Sequence, residues 1–187
     1  MGAVHPFRAE QLLVAVLSSR PGRLAEAREA LEDRFGPVAF ASDPAPWSYT
    51  TYYDREMGPG IVRLFWAFER LVDPAELPAI KRETNGLEDA FREDDSRKLN
   101  LDPGLLSLSR FILATTKDGA HRIPLRDGIY AEVTLVYERG AFRPLPWTYP
   151  DYRCDGCRAV LEAARERFRQ RLRPGGREAE DPTQAPR

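Results

Sequence analysis

Residues 122–137, RIPLRDGIYAEVTLVY, leave the chain few ways to fold. Ile129, Ala131, Val133 and Leu135 alternate with Tyr130, Glu132 and Thr134, the two-residue period of a strand with one apolar face. Ile123 and Leu125 continue the pattern upstream. Only one register matches the two apolar faces. A two-residue Asp127-Gly128 turn would set Leu125 opposite Tyr130. A three-residue loop, Arg126-Asp127-Gly128, sets Leu125 opposite Ile129, Ile123 opposite Ala131 and Arg122 opposite Glu132. Gly128 then takes the left-handed position of a bulged turn. His121 falls opposite Val133 on the apolar face.

The rest of the chain predicts elements to surround this hairpin. Leu12–Ser19 is a continuous apolar run suited to a central strand. Leu24, Ala27, Leu31 and Phe35 have helical spacing and stop at Gly36-Pro37. Val38–Ser42 reads as a strand. So does Ser48–Asp54 (SYTTYYD), paired through the EMGPG turn with a strand over Ile61–Val72. Asp73-Pro74 is an N-cap followed by a proline at the first helical position. That helix runs to about Ile80, with a second piece over Leu87–Phe91. Asp102-Pro103 reads as another such entry, followed by a helical stripe of Leu105, Leu108, Phe111, Ile112 and Thr115. Phe142–Leu145 adds a strand, and Cys157, Leu161, Ala164, Phe168 and Leu172 line one side of a last helix. The expected fold class is α+β: a single domain over residues 11–173, with a mostly antiparallel β-sheet and helices packed chiefly on one face. A loose arm (1–10) precedes it, and a disordered Pro/Gly-rich tail (174–187) follows.

A net charge of −1 gives no overall field to draw in nucleic acid or an anionic membrane. No run approaches the roughly 20 apolar residues of a membrane span, and MGAVHPFRAEQLLVAVLSS lacks a strongly basic leader, so the cytoplasm is the expected location. The two cysteines, Cys154 and Cys157, stand in CDGC. A four-ligand zinc site would need both His5 and His121, which are far apart in sequence, and a redox CxxC would follow a buried strand, which WTYPDYR is not, so two reduced thiols are expected. The GxxxxGK[ST] loop, GxGxxG, GxSxG and HExxH are all absent. Nothing identifies a cofactor.

Chemistry-bearing residues concentrate in three stretches. ATTKDGAHR (114–122) offers Thr116, Lys117 and Arg122 to an anion, with His121 to move a proton. As a helix C-terminus it would use the same residues differently: Lys117 against the dipole and Gly119 as the left-handed cap. YYDREMGPG (52–60) carries Asp54 and Glu56, either acid/base groups or turn formers. WTYPDY (147–152) sets Trp147, Tyr149 and Tyr152 around Asp151, either to stack on a ligand or to strap over the sheet. In NLDPG (100–104), capping accounts for Asp102 and leaves Asn100 without a job. RERFRQRLR (165–173) could contact phosphates, but no aromatic recognition pattern accompanies it, so nucleic acid is not favoured.

EMGPG, NLDPG, LATTKDGAHRI, DGIYAEVTL and PWTYPDY, in this order, resemble a family of bacterial proteins, the domain-of-unknown-function family 4416. The resemblance runs from about Leu12 to Tyr152. It implies no assigned activity; some members carry a GTP-binding label, and this chain has no phosphate loop. The positions that match are Glu56, Gly58, Asn100, Asp102, Thr115, Thr116, Lys117, Asp118, His121, Arg122, Glu132, Trp147, Tyr149, Asp151 and Tyr152.

The functional expectation is a pocket for a small phosphorylated or carboxylated ligand such as a nucleotide. Thr116, Lys117 and Arg122 would hold the anion, and Glu132 would orient Arg122. His121, with Glu56, would supply acid/base chemistry, and Trp147 and Tyr149 would flank the ligand. Asp54, Glu56 and Asp151 would be the ligands of any divalent metal. The alternatives are a protein-interaction module and RNA binding through the arginine-rich helix. The pocket requires 52–60, 114–122 and 147–152 to converge.

Overall fold

The computed structural model describes residues 2–50 and 53–173, except for the side chains of Asp54 and Arg55. The tail 174–187 lies outside the described residues.

Strand β1 (Glu10–Ser18) is buried along its whole length. Its continuous apolar run follows from cover on both faces. Leu12, Val14 and Val16 pack with α1 (Leu24–Phe35) and α3 (Leu77–Ala90). Leu13 and Ala15 pack with α5 (Asp155–Arg171) on the opposite face. Two of the three long helices therefore share a face and the third covers the other.

Among the described residues the sheet is antiparallel and nine-stranded. Its main path runs β2 (Val38–Ala41), β4 (Val62–Val72), β1, β5 (Leu99–Leu106), β6 (Arg110–Thr115), β8 (Tyr130–Glu138), β7 (Arg122–Pro124). The short β3 (Ala45–Pro46) pairs with β4, and β9 (Ala141–Pro144) pairs with β8. Two short helices complete the fold, α2 (Asp54–Met57) and α4 (Pro150–Arg153). The Asp73 cap forms as expected: its side chain accepts from Ala75 N–H while Glu76 reaches back to the Asp73 N–H. The helix beyond it is one piece, α3.

The β7–β8 register is the one required by matching faces. Arg122 pairs with Glu132 and Ile123 with Ala131. Leu125 N–H donates to Ile129 O (2.9 Å) and Ile129 N–H to Arg126 O (3.0 Å); Asp127 joins Gly128 at positive φ (+58° and +72°), so the tight turn lies over Asp127-Gly128 and Arg126 is the extra residue of the three-residue loop. The faces, however, are not cleanly separated. Glu132 and Thr134 of the polar face are buried and Ile123 is 60% exposed, while Ile129 and Leu135 of the apolar face stay buried. The two polar residues are buried because the segment after β9 lies over them: Trp147 Nε1 donates to Val133 O (2.8 Å) and Thr148 Oγ1 to Thr134 O. His121 accordingly stacks on Trp147 (5.3 Å between centroids, 21°) rather than facing an apolar core.

Two expected elements are corrected. No helix follows Asp102-Pro103: NLDPGLL is β5 and RFILAT is β6, joined at Ser107, whose N–H donates to Arg110 O (3.0 Å). Both faces of this hairpin are largely buried, so its apolar residues show no alternation and mimic a helical stripe. Gly119 therefore caps nothing. Residues 48–50 are not a strand either. β4 pairs with β1, β2 and β3, and the residues just before it form α2.

Candidate functional site: a cavity in a fork of the sheet

β5 and β6 pair only through Gly104–Leu113, Leu105–Ile112 and Leu106–Phe111. Toward the start of β5 the two strands diverge. Residues of one strand two apart direct their N–H and C=O groups to the same side. Leu105 bonds toward β6. Pro103, next on that side, has no N–H to give. Leu101 then finds its partners on α3: its N–H donates to Glu88 Oε1 (2.7 Å) and its carbonyl accepts from Lys81 Nζ (2.9 Å). Two side chains of a helix thus replace the missing strand. Gly104 marks the pinch point, because a Cβ there would lie 2.5 Å from Ile112 O.

The fork opens into a cavity of about 380 Å³, within the range of small-molecule sites. Its floor is the face of the sheet that carries Arg63, Asn100, Asp102 and Glu132. Thr115, Thr116 and Lys117 form one rim, and Tyr149, Pro150 and Asp151 form another. Trp47, Tyr49 and Tyr53 make an aromatic wall, with ring centroids 5.4 Å apart for Trp47 and Tyr53 and 6.2 Å for Trp47 and Tyr49.

The wall is a chain of charge-assisted contacts. Arg97 donates to Glu56 (2.8 Å), Glu88 (2.9 Å) and Asn100 Oδ1 (3.0 Å). Asn100 Nδ2 donates to Asp102 Oδ2 (2.7 Å), whose other oxygen pairs with Lys81 Nζ (3.3 Å). Asn100 thus links Arg97 to Asp102. Across the cavity Arg63 pairs with Asp151. Burial pushes the Glu88 carboxyl up. Burial, and then the Asp102 charge, raise the Tyr53 phenol, and burial likewise raises Tyr149 and Tyr152. At neutral pH these hydroxyls remain donors.

Among the described residues the lining supplies four cations (Arg63, Lys81, Arg97, Lys117) and four carboxylates (Glu88, Asp102, Glu132, Asp151). What is left unsatisfied is not balanced. Arg63 Nε and Nη1, Arg97 Nε and Tyr152 OH are buried without a hydrogen-bond partner among the described residues. All of these are N–H or O–H donors on residues that line the cavity.

Among the residues expected to act, Thr116, Lys117, Glu132, Tyr149 and Asp151 line the cavity. His121, Arg122 and Trp147 stand behind it. Glu132 Oε2 accepts from Arg122 Nε (2.9 Å) and lies 3.1 Å from His121 Nε2. Arg122 also donates to Tyr149 OH (2.7 Å) and to the carbonyl of Lys117 (3.0 Å). Glu56 reaches the wall through Arg97 without lining it. The Asp54 carboxylate lies outside the described residues. Among the described residues no three His, Cys, Asp or Glu side chains are placed to hold a metal ion.

Lys81, Glu88 and Arg97 carried no signal of a site in the sequence. Lys81 and Glu88 sit on a helix, where charged residues usually face water, and Arg97 belongs to the charged run EDDSRK. Arg63 was the legible one, a lone guanidinium inside the apolar strand IVRLFWAF. The arginines of α5 are engaged within the fold. Arg165 donates to Leu108 O (2.8 Å), Arg167 lies over Phe40, Arg169 pairs with Glu166 (2.7 Å), and Arg171 donates to Gln11 (3.2 Å).

The molecule is therefore a single α+β domain built on one antiparallel sheet with a polar cavity in a fork of that sheet. The model of the family described as "Domain of unknown function (DUF4416)" matches residues 8–168, and the chain belongs to that family. No curated protein and no solved structure matches the chain. Among the described residues no helix is long and apolar enough to cross a membrane.

Proposed function

We propose that the fork cavity binds a small phosphorylated or carboxylated ligand, a nucleotide being one compound of that class. The observation that carries this reading is the set of buried donors on Arg63, Arg97 and Tyr152. A buried polar group left unpaired costs about 1–3 kcal/mol, so native proteins rarely keep several at one place. Each of these atoms is closed off in this conformation, with Arg63 over the Tyr152 ring (4.9 Å) and Arg97 over the Tyr53 ring (5.7 Å), so an anion with several acceptor oxygens would satisfy them once the side chains turn toward it. Lys117 and the Thr116 hydroxyl are then the rim groups that meet the ligand as it enters. The aromatic wall of Trp47, Tyr49 and Tyr53, with Tyr149 at the rim, suits a planar or sugar-like body attached to the anionic group.

In this reading Arg122 is a positioning residue. It fixes Glu132 and Tyr149 instead of touching the ligand. His121 acts on the cavity only through Glu132, which provides a path for a proton between the cavity wall and the exterior. RNA binding through α5 has less support, because the helix arginines already have partners within the fold.

Thermal unfolding in a panel of inorganic phosphate, nucleotides, sugar phosphates and dicarboxylates tests the proposal. A true ligand raises stability by about 2.7 kcal/mol at a hundredfold excess over its Kd. Lys117→Ala should weaken that binding about tenfold, and the affinity should fall as salt is added. If no anion of the panel raises the melting temperature of the wild type, the anion reading is wrong.

A further inference from the structure

CDGC is not absorbed by the cavity. Cys154 is the N-cap of α5, a 17-residue helix, and its Sγ accepts from the Cys157 backbone N–H at 3.3 Å. Ser, Thr, Asp and Asn are the usual residues there, so a thiol is an unusual choice for capping alone. Cys154 is half-buried, and Cys157, one turn on, is buried among Leu161, Ala164 and Tyr152. The two sulfurs therefore differ in access. One is half-buried at the helix N-terminus, packed against the core, and the other lies within that core.

We propose that Cys154 and Cys157 form a redox-active dithiol, with Cys154 as the attacking thiol and Cys157 as the resolving one. Residues three apart on a helix have Cβ atoms about 5–6 Å apart, and a disulfide needs about 4 Å, so closing the bridge takes only a small movement of the first turn. The oxidant is a low-molecular-weight disulfide. The Cys154 thiolate attacks one of its sulfurs, forming a mixed disulfide and expelling the other half as a thiolate, which takes up the proton Cys154 gave up. The Cys157 thiol then loses its proton and attacks Cys154 Sγ, which forms the intramolecular bridge and releases the second half as a thiol. The two protein thiols lose two electrons and two protons, and the external disulfide becomes two thiols. The N–H of Cys157 remains aimed at the Cys154 sulfur while that sulfur carries the charge. Burial holds the Cys157 thiol up at about 12, so Cys157 is not the thiol that attacks first.

The pair also touches the cavity. Cys154 donates to the carbonyl of Asp151 (3.1 Å) and hydrogen-bonds with Tyr49, and both residues line the fork. Oxidation removes the thiol proton that holds the Asp151 carbonyl.

Incubating the full chain with glutathione disulfide, quenching in acid, alkylating and weighing it intact tests the assignment. Wild type should lose two hydrogens, retain no glutathione, resist alkylation at both thiols and recover them with dithiothreitol. Cys157→Ser should retain one glutathione on Cys154, and Cys154→Ser should stay unmodified. A digest of blocked, oxidised wild type should give a Cys154–Cys157 linked peptide, a readout that stands even if a variant melts. Wild type that keeps both thiols, retains glutathione or links into dimers overturns the proposal.

Discussion

Arg122 and Glu132 face each other across β7 and β8, with the guanidinium Nε 2.9 Å from the carboxylate and both side chains nearly fully buried. The same carboxylate oxygen meets His121. One buried acid thus fixes the hairpin edge, the residues behind the cavity and, through Arg122 and Tyr149, the strap over the sheet.

Removing one partner of a buried ion pair leaves the other uncompensated, at a cost of about 3–5 kcal/mol. Glu132→Ala is expected at the low end, about 3 kcal/mol, because Arg122 keeps its bonds to the Lys117 carbonyl and to Tyr149. Urea unfolding measures it. A double-mutant cycle with Arg122→Met should show strong coupling, the double variant losing much less than the sum of the two singles.

Gly104 should tolerate no side chain. A Cβ there meets Ile112 O at 2.5 Å and the Phe111 ring at 2.7 Å, atoms of the backbone and the core that cannot swing away. Gly104→Ala is expected to cost about 3 kcal/mol in denaturant unfolding, the upper end of ordinary overpacking. A loss below about 1 kcal/mol would mean that β5 and β6 are not pinched together there.

Glu88 makes stability depend on pH with a defined sign. Burial raises its pKa above 4.5 in the folded protein, against the opposing pull of Lys81. Between the unfolded and the folded pKa the native state holds a proton that the unfolded chain has released, so this group's contribution to stability falls as pH rises through that window. Glu88→Gln lacks the titration. The stability of the variant relative to wild type should therefore improve from pH 4.5 upward and level off above the folded pKa. A difference that stays flat across that range would show that Glu88 is not raised.

Asp151 neutralises Arg63 inside the cavity. Asp151→Asn keeps the shape and removes one negative charge beside the proposed anion site. It should lower stability, by about 3 kcal/mol for a buried pair. It should also tighten the binding of the anions identified in the thermal screen, since the Arg63 charge is no longer offset. Isothermal titration with wild type and variant measures both affinities. Weaker binding by the variant would place the anion away from Arg63.

The local rules held where one rule acted alone. The Asp73-Pro74 cap, the α1 stripe from Leu24 to Phe35 and the three-residue loop ending at Gly128 were legible because each depends on residues close in sequence. NLDPG was misread because Asp-Pro can open a helix or end a ladder, and only the approach of β6 at Gly104 decides between them. The strand expected over SYTTYYD is absent from its described residues, 48–50 and 53–54, because β propensity does not supply a partner strand and β4 is already paired on both sides.

By itself the sequence determined a single antiparallel-sheet domain, the Arg122–Glu132 pairing and a concentration of polar residues in 52–60, 114–122 and 147–152. Those follow from side-chain period, turn chemistry and matching faces, which are short-range. The tertiary structure alone decided that Glu132 and Thr134 of β8 are buried. It alone brought Arg63, Lys81, Glu88 and Arg97 to the cavity, from three separate parts of the chain: β4, α3 and the segment before β5. A charged side chain reads as solvated until a specific partner removes it from water, and here each partner is brought by another element of the fold.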